Sequence, residues 1–198
     1  MIQCNHQMNH EEYTGRRSIR LKGYDYASPG AYFITICAFN RENWFGVFKN
    51  NVIELNPAGK MLAEVWQQIP VHYPGIYIDA FIVMPNHIHG IVVIKNGGQS
   101  QGIAPTTIHV GTDPRVCPPK EMSIPLIVQR YKAMTTKLYA DGVYQNGWRS
   151  FYGKLWQRNY YDHIIRKETE LNSIRQYILS NPGYWSLDTE NPDYRPVI

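Results

Sequence analysis

Two histidines separated by one hydrophobic residue, His87-Ile88-His89, have the spacing of a metal-binding pair. They begin a β-branched run, residues 87–94, that predicts a strand, and alternate side chains of a strand point to the same face. Both imidazoles therefore point one way, and Ile88 points the other way into the expected core. Ring nitrogens held away from water need partners, and a divalent metal can serve both rings. The alternative is a pair of surface or hydrogen-bonded histidines at the start of a strand.

A second candidate set lies on the helix predicted over residues 168–181. Tyr177 and Asn181 are four residues apart, so they are neighbours on one helix face, beside its apolar stripe. A tyrosine oxygen can act as a nucleophile and form a covalent intermediate. An amide oxygen can be a third ligand for a hard ion such as Mg²⁺ or Mn²⁺. The alternative is a tyrosine at the helix edge and an asparagine that ends the helix before Pro182.

The elements that must position these residues follow from periodicity and from turn signals. The predicted order is strand, helix, strand, strand, helix, strand and one extra helix. This order is typical of an α+β, ferredoxin-like split βαβ sandwich, with an antiparallel sheet, helices on one face and the extra helix at the C-terminal end. The predicted segments are a strand at 31–39, a hairpin within 45–55, a helix from Asn56 to Pro70, strands at 76–84 and 87–94, a helix from Ser123, an extended segment at 154–165 and the helix at 168–181.

The length of 198 residues suits one compact domain. We expect a flexible basic arm at residues 1–28, the main domain at 29–185 with a loop insert at 95–122, and a tail at 186–198. No apolar run is long enough to predict a membrane span. Three scattered cysteines exclude a disulfide framework and the common cysteine zinc sites, which favours a reducing compartment and a cytoplasmic protein.

The net charge of +4 is unevenly distributed along the chain. Residues 114–167 contain 10 Lys and Arg against 3 Asp and Glu, together with nine aromatic residues. Cations interleaved with aromatic rings suit a surface for single-stranded nucleic acid, where phosphates meet cations and bases stack on rings. The alternative is a solvated helix face combined with ordinary core aromatics.

Three motifs occur together in one order: MPNHIHGIV at 84–92, WQRNYYDHIIR at 156–166 and QYILSNP at 176–182. In combination they resemble the REP-associated tyrosine transposases, a single-tyrosine branch of the HUH endonucleases, whose name denotes histidine, hydrophobic residue, histidine. The resemblance spans about residues 20–185, and the insert at 95–122 lies outside the shared pattern. It implies an enzyme that nicks single-stranded DNA beside a hairpin and transfers strands in transposition.

The resemblance also implies roles for individual residues. His87 and His89 would hold a divalent Mg²⁺ or Mn²⁺, with Asn181 as third ligand, although relatives often have glutamine at that position. Tyr177 would attack the DNA and become joined to the 5′ phosphate, and the alternative nucleophiles are Tyr160 and Tyr161. His163, which ends a WxxxYxxH pattern, would orient the DNA or the active site, or make a structural hydrogen bond.

The implied partner is single-stranded or hairpin DNA, with no membrane and no nucleotide cofactor, bound by a monomer or a homodimer. Two rival functions remain at this point. One is a catalytically inactive DNA-binding module on the same scaffold, and the other is a metalloenzyme for a smaller substrate, which lacks a carboxylate next to the histidine pair in the sequence. The predicted DNA-binding residues are basic: Arg16, Arg17, Arg20, Lys22, Arg130, Lys132, Lys137, Arg158 and Arg166.

Overall fold

A computed structural model of the chain describes residues 21–95 and 122–195. The predicted DNA-binding residues Arg16, Arg17 and Arg20, and the insert apart from its end residues, lie outside the described residues. In the described part of the predicted arm, Tyr26 is buried against the main core. None of the helices in these two ranges is long and apolar enough to cross a membrane.

Four strands form one antiparallel sheet, as predicted. They are β1 (Gly30–Cys37), β4 (Ile76–Val83), β5 (His87–Ile94) and β6 (Tyr161–Ile165), and their order across the sheet is β4-β5-β1-β6. The predicted hairpin is also present, as β2 (Gly46–Lys49) paired with β3 (Val52–Leu55). The order places β1 and β5 in the centre, which confirms the ferredoxin-like α+β prediction.

One face of the sheet is covered by helices α1 (Pro57–Gln67) and α3 (Ile124–Asn146). Asn56 caps α1, because its Oδ1 accepts a hydrogen bond from the Gly59 amide at 2.9 Å. The helix ends before the predicted stop, and Pro70 instead lies in the first turn of a short helix, α2 (Ile69–His72), where its missing N–H costs nothing. Ser123 occupies the N-cap position of α3 without a side-chain capping bond.

The last helix, α4 (Glu168–Ser180), packs on the opposite face of the sheet. Its apolar residues Ile174 and Ile178 are buried against Phe33 of β1 and Ile91 of β5. A 3₁₀ segment, Asn181–Leu187, follows it directly. The extended segment predicted at 154–165 becomes a strand only from Tyr161, and the preceding residues form loops. The sheet is therefore covered on both faces, and α4 has one face to itself.

Candidate metal and nucleophile site

The two histidines lie at the start of β5, on the sheet face that α4 covers. Ile88 between them is buried in the core on the other face, as the strand alternation predicted. Both imidazoles are buried, and their Nε2 atoms are 3.0 Å apart. Imidazole nitrogens bind first-row metals at about 2.1 Å, and two of them at a right angle around one ion lie about 3.0 Å apart.

Asn86 determines the tautomer of His87. Its Nδ2 donates to the carbonyl oxygens of Arg41 at 2.8 Å and Glu190 at 2.7 Å, so its Oδ1 must face the His87 ring. That oxygen can only accept, and it lies 2.8 Å from His87 Nδ1, which therefore carries the proton. The lone pair of His87 Nε2 is consequently directed toward His89 and away from the backbone.

Thr35 of β1 faces the other ring. Its Oγ1 lies 2.8 Å from His89 Nδ1 and can donate or accept there. With Nδ1 protonated, His89 presents its Nε2 lone pair to the same point as His87 does. This is the pattern of a metal-binding histidine, whose second nitrogen donates to an outer partner.

Burial keeps both rings neutral. It lowers the pKa of His89 to about 3 and places the pKa of His87 well below its usual range, with a further contribution from His89 itself. Neutral imidazole is the form that binds metals, so both rings stay available as ligands across the physiological pH range.

A carboxylate completes the cluster. Asp188 Oδ2 lies 3.6 Å from His87 Nε2, and this buried oxygen has no hydrogen-bond partner. The other oxygen, Oδ1, accepts from the Glu190 amide at 2.8 Å, which fixes the carboxylate orientation. Burial is the main cause that raises the Asp188 pKa. In the sequence no carboxylate neighbours the histidine pair, and no local pattern distinguishes Asp188 from the other acidic residues.

These residues fit a divalent metal. Ligand atoms of His87, His89 and Asp188 all lie within 4.8 Å of one another. A cation between these buried groups would satisfy acceptors that are otherwise desolvated without a donor. A set of two imidazole nitrogens and one carboxylate oxygen suits first-row ions such as Mn²⁺, whereas Mg²⁺ prefers oxygen alone.

Asn181, the third ligand implied by the resemblance, is the first residue of the 3₁₀ segment. It is only 4% exposed, and its Oδ1 is buried without a hydrogen-bond partner. An amide oxygen in that state is available as a ligand. Asn181 Oδ1 and Asp188 Oδ2 are thus both buried without a hydrogen-bond partner.

Tyr177 of α4 borders the histidine pair. Its hydroxyl lies 3.4 Å from His89 Nε2, and its ring lies 5.3 Å from the His89 ring and 6.1 Å from Phe33. The residue is 47% exposed, so part of Tyr177 faces solvent. Of the alternative nucleophiles, Tyr161 lies edge-on to Phe33 at 6.2 Å, and the Tyr160 ring lies 5.7 Å from Lys132 Nζ.

An ion pair and a hydrogen bond attach α4 to the sheet. Arg175 makes two hydrogen bonds to Asp79 of β4, at 2.8 and 2.7 Å. At the other end of the helix, His163 Nε2 lies 2.8 Å from Glu170 Oε1. The predicted role of His163 stays open between the two alternatives, but its contact is to the helix that carries Tyr177.

The segment after α4 covers the histidines. The Trp185 ring lies 6.0 Å from the His87 ring, and Arg41 pairs with Glu190 at 2.9 Å. Asp188 belongs to this segment, inside the region predicted as a tail. Residues 181–191 thus form one wall of the site.

Several predicted DNA-binding cations have partners within the chain. Lys132 Nζ donates to the carbonyl oxygens of Gln157 and Asn159 at 3.0 Å, and Lys137 pairs with Asp141 at 2.8 Å. The Arg130 guanidinium lies 5.2 Å over the Tyr73 ring. The remaining predicted cations within the described residues are exposed: Lys22, Arg158 and Arg166.

Comparison with known proteins finds similarity both in sequence and in solved structures. No model of a known protein family matches the chain. An uncharacterised protein of Haemophilus influenzae is 39% identical over 173 residues, covering 87% of this chain and 91% of that protein. A REP-associated tyrosine transposase solved with a REP hairpin superposes with a TM-score of 0.53 at 17% identity, covering 84% of this chain and 73% of that one. A candidate transposase from Deinococcus radiodurans gives a TM-score of 0.42 at 18% identity, over 81% and 95%.

Proposed function

Because this chain belongs to one family with the Haemophilus influenzae protein and has the fold of a REP-associated tyrosine transposase, we propose that it is a metal-dependent DNA transposase. Its substrate in this proposal is single-stranded DNA beside a hairpin, which it cleaves through a covalent tyrosine intermediate and rejoins. The observation that carries the proposal is the Tyr177 hydroxyl 3.4 Å from His89 Nε2, at the edge of a cluster that fits a metal.

Tyr177 is the nucleophile of the proposed reaction. Its hydroxyl releases a proton to solvent as its oxygen bonds to the phosphorus of an unpaired strand. The bond from phosphorus to the 3′ oxygen breaks, and that oxygen takes up a proton and leaves as a hydroxyl. The 5′ phosphate of the downstream fragment stays joined to Tyr177. Attack by a free 3′ hydroxyl reverses these steps, so strands are rejoined without ATP.

The remaining residues hold and orient the reacting groups. His87, His89 and Asp188, with Asn181 as a further candidate, would hold a divalent metal that polarises the phosphate and offsets its developing charge. Asn86 and Thr35 orient the two imidazoles. The pairs Arg175–Asp79 and His163–Glu170 keep α4, and with it Tyr177, against the sheet.

The test uses single strands that carry a stable hairpin with randomised flanks, labelled at the 3′ end, with Mg²⁺ or Mn²⁺. We expect a labelled protein–DNA adduct that survives denaturation, because the downstream fragment stays on the tyrosine. The same strands labelled at the 5′ end should give a free labelled fragment and no labelled adduct. A chain that binds these hairpins and never forms the adduct is the inactive binding module instead.

The nucleophile is identified by paired substitutions. Tyr177→Phe should abolish the adduct, since it removes only the attacking oxygen, and Tyr161→Phe should leave it intact. His87→Ala and His89→Ala should each lose cleavage and keep hairpin binding. An adduct at the parental rate in Tyr177→Phe would show that another residue attacks.

A further inference from the structure

Two adjoining cavities of about 230 and 270 Å³ share lining residues and form one cleft. It lies between the loop that follows β1 and the segment that joins α3 to β6. Trp44 and Arg149 line both cavities, and Phe39, Tyr152 and Lys154 line the larger one. We call this region the loop cleft and define it by these five residues.

The loop cleft is attached directly to the turn that precedes His87. The Ala38 amide donates to the Asn86 carbonyl at 2.7 Å, and the Phe45 amide donates to the Pro85 carbonyl at 2.9 Å. On the other wall, the Phe39 amide donates to the Leu155 carbonyl at 2.8 Å. The loop cleft and the turn that leads into β5 are therefore joined through the backbone of the loop after β1.

The lining combines exposed rings with cations. Tyr152 is 99% exposed and Phe39 is 36% exposed, so both rings are accessible from solvent. Lys154 Nζ lies 5.9 Å from the Phe39 ring, and the Arg149 guanidinium lies 4.0 Å over Trp44. The acidic residue at the cleft, Glu42, pairs with Arg149 at 2.7 Å and holds the guanidinium over the indole.

The backbone of the loop is held in an uncommon conformation. Asn40 and Arg41 are consecutive left-handed residues, with φ of 57° and 56°. Non-glycine residues adopt this region rarely, and such conformations concentrate at functional sites. The bend keeps Phe39 at the mouth of the loop cleft while Arg41 reaches back to Glu190.

We propose that the loop cleft binds the unpaired nucleotides that flank the cleavage point. Bases stack on Tyr152 and Phe39, and Lys154 contacts a phosphate. This inference rests on the proposed function and locates part of the basic, aromatic surface predicted for 114–167. Lys132 and Lys137 of that surface have partners inside the chain, whereas Tyr152 and Lys154 extend into solvent.

Binding is tested in the full chain carrying Tyr177→Phe, so that no covalent adduct forms. Fluorescence anisotropy compares a hairpin that carries single-stranded flanks with the same hairpin without flanks. Tyr152→Ala should weaken binding of the flanked hairpin about fivefold or more and leave the unflanked hairpin unchanged. Tyr152 is almost fully exposed, so this change should not affect folding.

Tyr144→Ala is the matched control, because Tyr144 is 94% exposed but lies on α3, outside the loop cleft. It should bind both hairpins as the parent does. Lys154→Gln should reduce the salt dependence of flanked-hairpin binding by roughly 0.7 in log–log slope. Parental flanked-hairpin binding in Tyr152→Ala, or equal losses in Tyr152→Ala and Tyr144→Ala, would overturn the loop-cleft proposal. If the unsubstituted chain still forms the adduct in that case, the proposed function stands and only the subsite is wrong.

Discussion

Asn86 illustrates how one amide can set the chemistry of a neighbouring ring. Its two donated hydrogen bonds leave one orientation for its oxygen, and that oxygen requires a proton on His87 Nδ1. His87 Nε2 is then unprotonated, and it faces His89 and Asp188 as a hydrogen-bond acceptor. If His89 likewise carries its proton on Nδ1, toward Thr35, the site at the residue scale has an excess of acceptors.

This excess predicts the behaviour of Asp188→Asn. The amide keeps the Oδ1 bond to the Glu190 amide but loses the charge, so Mn²⁺ affinity should fall about tenfold or more by titration calorimetry. In EDTA the melting temperature should not fall, because the variant removes a buried oxygen that has no hydrogen-bond partner.

The control for this variant is Asp193→Asn, the same change at an exposed position just beyond residues 181–191, which should bind Mn²⁺ as the parent does. Parental Mn²⁺ affinity in Asp188→Asn, combined with a loss in Asn181→Ala, would assign the third ligand to Asn181.

At the scale of elements, the position of α4 depends on how one helix is attached to a sheet edge. Strand β4 has a register irregularity between Ile78 and Phe81, and Asp79 lies within it. Such irregularities redirect side chains, and here the carboxylate faces Arg175 of α4. Tyr177 lies two residues further along the same helix, so the attachment of the helix and the position of the proposed nucleophile are linked.

The Asp79–Arg175 pair has a predictable pH dependence. Hydrogen bonding to Arg175 lowers the pKa of Asp79 in the folded chain. A lowered carboxyl pKa stabilises the fold above the unfolded value of about 3.9, and this contribution is lost as pH falls through the folded value. Asp79→Asn should therefore lower the melting temperature by a few degrees near pH 7, with the difference shrinking below about pH 3.9.

Scanning calorimetry near pH 7 and below about pH 3.9 measures the difference in melting temperature between Asp79→Asn and the parent. Asp141→Asn, which breaks the exposed Lys137–Asp141 pair on α3, is the matched control and should show almost no change at either pH. A deficit of the same size at low and neutral pH would mean that the Asp79 charge is not what stabilises the helix.

At the scale of the whole molecule, one face of the sheet forms the main core and the other face carries the candidate site. One face packs against α1 and α3 and forms the main core, and the other carries the histidines, α4 and the segment after it. Because Gly90, next to His89, has no side chain, Trp66 of α1 can pack closely against β5. A Cβ built at Gly90 would lie 2.4 Å from Trp66 Cζ2.

Gly90→Ala should consequently destabilise the fold by about 1–3 kcal/mol, because the added methyl group forces Trp66 out of a closely packed interior. Urea denaturation measures the change in the free energy of unfolding. Gly183→Ala is the matched control, since a Cβ there meets no atom within 4 Å. Equal stability of the two variants would contradict this account of the packing.

Much of the fold could be predicted because its signals are local. Strand alternation placed His87 and His89 on one face, and the cap and apolar period of α1 located that helix to within a few residues at its end. The order of predicted strands and helices indicated the ferredoxin-like α+β fold, and the structure confirms it. Tyr177 was singled out among fifteen tyrosines by the resemblance to the REP-associated tyrosine transposases, and its role stays a prediction.

The sequence by itself thus determined the strand and helix order, the common face of the histidine pair and the helix that carries the candidate nucleophile. Only the tertiary structure decided which face α4 covers, that Asp188 joins the histidines, and that Phe39 and Tyr152 line one cleft. The physical reason is that periods of 2 and 3.6 residues report which side of an element faces the core. Contacts between loops distant in sequence depend on how the finished elements pack, and no local period records that.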